Sequence, residues 1–325
     1  MNPTRFHKLS WIGLALITFG LLAVSGPLEG RARDKQKKGK NLAPASAQQS
    51  YTRVTDASQF VGSETCKACH DTQFTKFETT PHWKTMLETR RGPEWQGCES
   101  CHGPGAEHVA GGGDVTKIFN FKNVSSKVIS ENCLGCHQYG VEHSNYSRTM
   151  HSINDVSCID CHSVHSAKAK PGLLAKAQPQ LCYTCHVDIR QQFTRPFRHR
   201  VNENLVKCTD CHSQHGGFLT RGLRATAAQD QVCFTCHVEK AGPFTFEHAP
   251  VKTEGCVACH VPHGSSNPRL LKRAQVNLVC LECHTLAGGG VAPIGPSHDQ
   301  SQKYQACTSC HVTIHGSNYS SVFFK

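Results

Sequence analysis

The sequence holds no cysteine outside one repeated pentapeptide, only three methionines, and a single long apolar run, at its N-terminus. The first absence leaves no spare thiol, and no cysteine beside the apolar run to carry a lipid. The last means that no later segment supplies the roughly 20 apolar residues a membrane-crossing helix needs. The apolar run itself, Trp11 to Val24, is short for that purpose. Arg5 and Lys8 precede it, and Ser25, Gly26 and Pro27 follow. A charged start, a short apolar stretch and small residues are the layout of a secretory signal. We therefore expect a signal peptide over residues 1–30. No clean Ala-x-Ala cleavage site follows, so the cleavage point and an uncleaved anchor stay open.

What is abundant is cysteine, 20 residues in 325. A disulfide framework and a set of zinc sites are the ordinary explanations for such a count. Spacing decides against both, because every cysteine lies in a Cys-x-x-Cys-His motif. The first five are Cys66, Cys69 and His70; Cys98, Cys101 and His102; Cys133, Cys136 and His137; Cys158, Cys161 and His162; Cys182, Cys185 and His186. The second five are Cys208, Cys211 and His212; Cys233, Cys236 and His237; Cys256, Cys259 and His260; Cys280, Cys283 and His284; Cys307, Cys310 and His311. This is the attachment signature of c-type haem. Two thiols add across the haem vinyl groups, and the adjacent histidine is placed to reach the iron. A disulfide scaffold has no use for a histidine after every second cysteine. Ten covalent haems are expected, and attachment outside the cytoplasm agrees with an export signal. The net charge of +11 would ordinarily suggest acidic partners or nucleic acid. Two propionates on each haem largely offset it, so no nucleic-acid partner is inferred.

From Cys133 onward the motifs recur every 23–27 residues, and every second motif at 47–51. A fixed period of this size marks a repeat architecture. Two motif types alternate. One has a second histidine close behind, as in CIDCHSVH, CTDCHSQH and CVACHVPH, with CTSCHVTIH as a variant one residue longer. The other carries an apolar or aromatic residue inside, as in LCYTCH, VCFTCH and VCLECH, after the related lead-ins PGLLAKAQ, RGLRATAA and PRLLKRAQ. A two-haem unit has been duplicated. Residues 31–60, charged and then rich in Ala, Ser and Gln, read as a flexible basic and polar linker. Residues 61–325 read as one multihaem domain. With about 30 residues per haem the chain cannot build a separate hydrophobic core, so the haems must be the core. Short helices such as Glu64–Phe77 and Leu181–Phe193 are expected, joined by loops, with almost no strand.

Ten of the 22 histidines are the motif histidines, and His7 lies in the signal. Among the other eleven, recurrence singles out ten as second axial ligands. His165, His215, His263 and His315 follow a motif histidine by three or four residues. A thioether-tethered haem has its motif face fixed locally, so such a histidine cannot easily reach the other face of that haem. It should ligate a neighbour. His151, His199, His248 and His298 precede the same motif type by seven to nine residues. His82 and His108 are looser counterparts in the irregular first part. His143 is surplus, and its exchange with His151 is the main ambiguity. Only Met86 and Met150 follow the signal, each near a better-placed histidine. Bis-histidine iron throughout is therefore expected, with low potentials. Closed irons describe an electron carrier, with no catalytic residue and no open haem.

The layout, together with VGSETCKACHD, MHSINDVSCIDCHSVH and CTSCHVTIHG, resembles the MtrA/DmsE family of periplasmic decahaem cytochromes over residues 60 to 318. The resemblance implies an elongated array with little secondary structure, seated in an outer-membrane β-barrel. It would exchange electrons between periplasmic carriers and an extracellular cytochrome, mineral or reductase. The linker departs from it, and the direction of flow stays open. Three other readings compete. A soluble periplasmic shuttle feeding a terminal reductase would lack the barrel partner. A multihaem reductase would show a high-spin iron, and a haem filament would polymerise. No motif carries lysine in place of histidine, as ammonia-forming nitrite reductases do.

Overall fold

The computed structural model describes residues 53–140, 142–168, 172–217, 220–224, 231–284, 298 and 304–325. The expected signal and residues 31–52 of the expected linker lie outside them. All the described residues belong to one of the chain's two compact units, Ala47–Lys325.

Two helices are long enough to pack through a face of their own, and both lie in the irregular first part. Helix α1, Ser63–Glu78, buries Phe74 and Phe77. Three residues apart, they share a face and meet the Trp83 ring edge-on at 5.5 and 6.1 Å. Pro81 lies just beyond its end, where a proline cannot continue a helix. Its backbone is non-helical at His70 (φ −113°, ψ 38°), so the motif histidine turns out of the regular path. Helix α2, Ser126–His137, starts at Ser125, whose hydroxyl accepts from the Val128 amide, a side-chain N-cap. It buries Val128, Ile129 and Asn132, and the Asn132 amide donates to the Cys101 carbonyl at 2.8 Å.

Elsewhere the motifs form single turns, such as Cys158–Cys161 and Cys208–Cys211 and the tighter Cys256–Ala258 and Cys307–Ser309. One turn is what the chemistry requires, because cysteines three apart then lie on one side. The helix expected over Leu181–Phe193 is broken. A 3-10 turn, Cys182–Thr184, stops before His186 (φ −88°, ψ 62°), and helix α3, Val187–Gln192, starts after it. Thr184 Oγ1 donates to the Leu181 carbonyl at 2.6 Å, taking up an acceptor the helix would have used. The near-absence of strand holds, since the described residues contain only isolated bridges. Within the expected linker, residues 53–60 pack on the second motif: Arg53 donates to the Glu94 and Ser100 carbonyls at 2.7 and 3.0 Å and stacks on Trp95.

The apolar residues buried among those described are few, Phe74, Phe77, Val128, Ile129, Tyr146, Leu173, Phe193, Val201 and Val279. They form no continuous core, as the residue allowance per haem anticipates. Long-range order comes instead from main-chain pairing between repeats. Phe197 and Ser265 exchange both hydrogen bonds, at 3.2 and 2.8 Å, and Phe246 and Ser317 do the same at 2.8 and 2.9 Å. In both cases the first partner stands two residues before a pre-motif histidine, and the second stands two residues after a post-motif histidine. No described helix is long and apolar enough to cross a membrane.

Candidate functional site

The ten motif histidines each face one second histidine across a gap of constant width. Two metal–imidazole bonds of about 2 Å, plus about 1 Å from each nitrogen to its ring centre, put the rings of a bis-imidazole iron about 6 Å apart. The even motifs give His102–His165 at 6.1 Å, His162–His215 at 5.9 Å and His212–His263 at 6.0 Å. His260–His315 follows at 6.2 Å and His311–His298 at 6.5 Å. The odd motifs give His70–His108 at 6.4 Å, His137–His82 at 5.9 Å and His186–His151 at 6.1 Å. His237–His199 and His284–His248 complete the set at 6.3 and 6.1 Å. The ring facing each motif histidine is one of the ten histidines singled out along the sequence, each in one such pair.

The pairing follows one rule. Motifs 2, 4, 6 and 8 face the histidine that trails the motif two further on. Motifs 3, 5, 7 and 9 face the histidine that leads the motif before. Continued to the ends, the rule would need motifs 12 and 0. Instead, motif 10 faces its own leading His298, and motif 1 faces His108, which trails motif 2. Both ends close on themselves.

A ring presents Nε2 to a metal when its Nδ1–H is held elsewhere, commonly by a main-chain carbonyl. His162, His212, His260 and His311 have their Nδ1 on the carbonyls of Gly172, Arg221, Arg269 and Val322, at 2.5, 3.0, 2.8 and 2.5 Å. The first three carbonyls come from the lead-in segments, which fold back onto the preceding motif, and Val322 lies in the segment after the last motif. Leu174, Leu223 and Leu271 bridge to the first three of these histidines. The next residue, Ala175, Arg224 or Lys272, donates to the second motif cysteine at 2.9, 3.0 and 3.0 Å. The return needs left-handed backbone at non-glycine residues, Leu173 (φ 50°), Arg221 (61°), Arg269 (57°) and Phe323 (63°). Each costs on the order of 1–2 kcal/mol. Strain repeated at one place is structure retained for that place.

Most odd-motif pairs are braced on the other ring. His108 Nδ1 meets the Asp114 carbonyl at 2.8 Å, His151 the Gln214 carbonyl at 3.3 Å and His199 the Pro262 carbonyl at 2.6 Å; His248 meets the main chain of Ile314. Gln214, Pro262 and Ile314 immediately precede His215, His263 and His315, so one ligand's brace adjoins the next ligand. Burial holds His82, His102, His165, His263 and His315 below the ordinary imidazole value. It brings His215 down to about 4, with help from neighbouring histidines. Neutral rings with a free nitrogen are what a metal ligand needs. Among the described residues no group of three or more His, Cys, Asp or Glu gathers as a metal cage, so the grouping is two rings per site. The residues fit haem iron.

The cysteines add a second periodicity. The first cysteines of neighbouring motifs stand beside one another in the pairs Cys66–Cys98, Cys133–Cys158, Cys182–Cys208 and Cys280–Cys307.

His143 and His151 lie against different motif histidines. His151 pairs with His186, whereas His143 lies against His137 at 5.5 Å and His215 at 4.5 Å, the latter too close to span an iron. Glu99 is a residue that sequence reasoning misses. It is 4% exposed, and its carboxylate accepts from the amides of Val61, Gly62 and Gly105 at 3.1, 2.9 and 2.8 Å. The one signal for it along the chain is its place inside a motif, between Cys98 and Cys101.

Comparison with known proteins agrees with this geometry. The doubled CXXCH motif family matches residues 151–191, 199–242 and 248–288. Each match starts on a leading histidine and ends beyond the motif that this histidine faces. The cytochrome c554 and c-prime family matches residues 111–163. The multiheme cytochrome MtrA of Shewanella baltica (strain OS185) is 31% identical over 270 residues, 80% of this chain and 80% of its own length. Paired motifs of this kind carry covalently bound haem c.

Proposed function

Because the chain belongs to the family of the multihaem cytochrome MtrA, we propose that it is a ten-haem electron wire with every iron closed by two histidines. The observation that carries this reading is the set of ten ring pairs, one to each motif, at iron-spanning separation. In it the twenty motif cysteines tether the haems. His70, His102, His137, His162, His186, His212, His237, His260, His284 and His311 are the proximal ligands, and their ring partners are the distal ones.

Haem supplies a one-electron couple at iron, tuned by its axial ligands and their hydrogen bonds. The chain does the rest. Main-chain carbonyls fix the tautomer, so that Nε2 points inward. Histidines donated from one repeat to another hold neighbouring haems in a fixed relation. A ligand on each side leaves no iron position for a substrate, so the protein carries electrons and is not an enzyme. Closure at both ends by His108 and His298 favours a finite array over a filament.

The N-terminal segment and the chemistry of haem attachment support a periplasmic location. The family resemblance supports a seat in an outer-membrane β-barrel, with exchange between periplasmic and extracellular redox partners. Electron paramagnetic resonance and optical spectra of the purified holoprotein test the closed array, which requires only low-spin iron when oxidised. A high-spin fraction that binds nitrite would overturn it in favour of a reductase. Affinity purification from membranes tests the partner: a stoichiometric barrel supports the conduit, and recovery of the cytochrome alone supports a shuttle.

A further inference from the structure

The third motif breaks the bracing rule. At the other odd motifs, His108, His151, His199 and His248 each place Nδ1 on a main-chain carbonyl or main-chain partner. The corresponding ring here is His82, on the turn Pro81–Leu87. Its Nδ1 is buried and has no hydrogen-bond partner. The His143 ring also lies against His137, with centroids 5.5 Å apart.

Resting on the ten-haem reading, we infer that the third haem site is the high-potential member of its class, because His82 lacks the carbonyl brace its counterparts have. A carbonyl that accepts Nδ1–H increases the imidazole's donor strength toward iron and stabilises the ferric state. Without it the ring is the weaker donor, and the ferrous state gains. The comparison is controlled within the fold. Sites 3, 5 and 7 share crossed rings, with planes 67°, 69° and 64° apart. They also share an apolar or aromatic residue after the first cysteine, Leu134, Tyr183 and Phe234. Sites 5 and 7 have the brace and site 3 does not. The crossed-ring class is therefore not uniform in potential, and an electron shared among its three sites rests at the third.

Crossed axial rings leave the two iron π-orbitals nearly degenerate, which gives a paramagnetic resonance signal distinct from that of parallel rings. The test is a potentiometric titration of that signal in the full-length holoprotein. One part in three should disappear first, at a higher potential than the other two. The variant H143A identifies the part, since His143 lies against His137 of the third site, and its other ring neighbour, His215, belongs to a near-parallel pair. It should move the first-lost component and leave the other two in place. The three components titrating together, or H143A moving a different one, would overturn the inference. If H143A does not accumulate, the titration of the unaltered protein decides. High-spin iron in the oxidised protein is a separate outcome, and it would overturn the ten-haem reading itself.

Discussion

The His165 ring faces that of His102 with planes 12° apart, although His165 sits three residues beyond His162, in another motif. On the ten-haem reading, a histidine beside one haem serves a different one. Removing it should open site 2 and leave site 4 closed. H165A is expected to lose one component from the near-parallel signal, with one high-spin iron appearing. H151A should instead take its component from the crossed-ring signal, because His151 and His186 stand 69° apart. Resonance spectra of the two variants, recorded side by side, check this. The same class lost in both would refute the assignment.

The ring angles also set the whole spectrum. Three pairs, at sites 3, 5 and 7, are crossed by 64–69°. Five are within about 20° of parallel, the remaining two lying at 29° and 42°. Quantified low-spin signals should therefore contain about three crossed-ring irons per chain, the balance having smaller anisotropy. A single uniform class would contradict the geometry.

Glycine follows the post-motif histidine in three units, as Gly216, Gly264 and Gly316. A Cβ on Gly264 would meet the Gln192 carbonyl, and one on Gly316 would meet the Phe244 ring. Both contacts lie where one repeat's main chain pairs with another's. Forced overpacking of this kind costs about 1–3 kcal/mol. G264A should lower the thermal midpoint of the holoprotein and loosen the Phe197–Ser265 pairing, read as faster hydrogen exchange at those two amides.

Glu99 joins the first motif to the second through the Val61 and Gly62 amides and also accepts from Gly105 beside its own motif. E99A would leave the Val61, Gly62 and Gly105 amides without their acceptor, at about 1–3 kcal/mol for each that water cannot reach. E99Q retains only one acceptor oxygen and is expected to fall between. Denaturant unfolding gives the order, and hydrogen exchange should place the loss at these three amides and not in the later repeats.

Without haem the protein should not hold its fold. The buried apolar residues are scattered, from Phe74 to Val279, and chain entropy of about 1–2 kcal/mol per residue has little to oppose it. Expression with attachment disabled should give a chain with no cooperative thermal transition by circular dichroism. A sharp transition in such a chain would show a protein core that the burial pattern does not contain.

Much of this was readable along the chain. Thioether chemistry is local: two thiols and a histidine within five residues recur ten times, and nothing from elsewhere is needed to interpret them. The second histidines are singled out along the chain for a weaker reason, that a repeat duplicates its contacts along with its residues. The lead-in PGLLAKAQ and its relatives were visible as repeats, but not as the source of the carbonyl on the preceding ring. Leu181–Phe193 looked helical because propensity is indifferent to what His186 must do. At His186 the chain leaves the helical path before helix α3 starts.

The sequence by itself determined the chemistry: which cofactor, how many attachment points, and a histidine supply that matches them with one to spare. Tertiary structure decided the partnership of His102 with His165 and of His137 with His82, because both depend on distant segments meeting. It also decided which rings are braced, since a backbone carbonyl has no side chain to announce it and is the same at every residue. That is why the missing brace at His82 leaves no trace in the order of the residues. It exists only where the chain fails to bring a carbonyl within reach of a buried nitrogen.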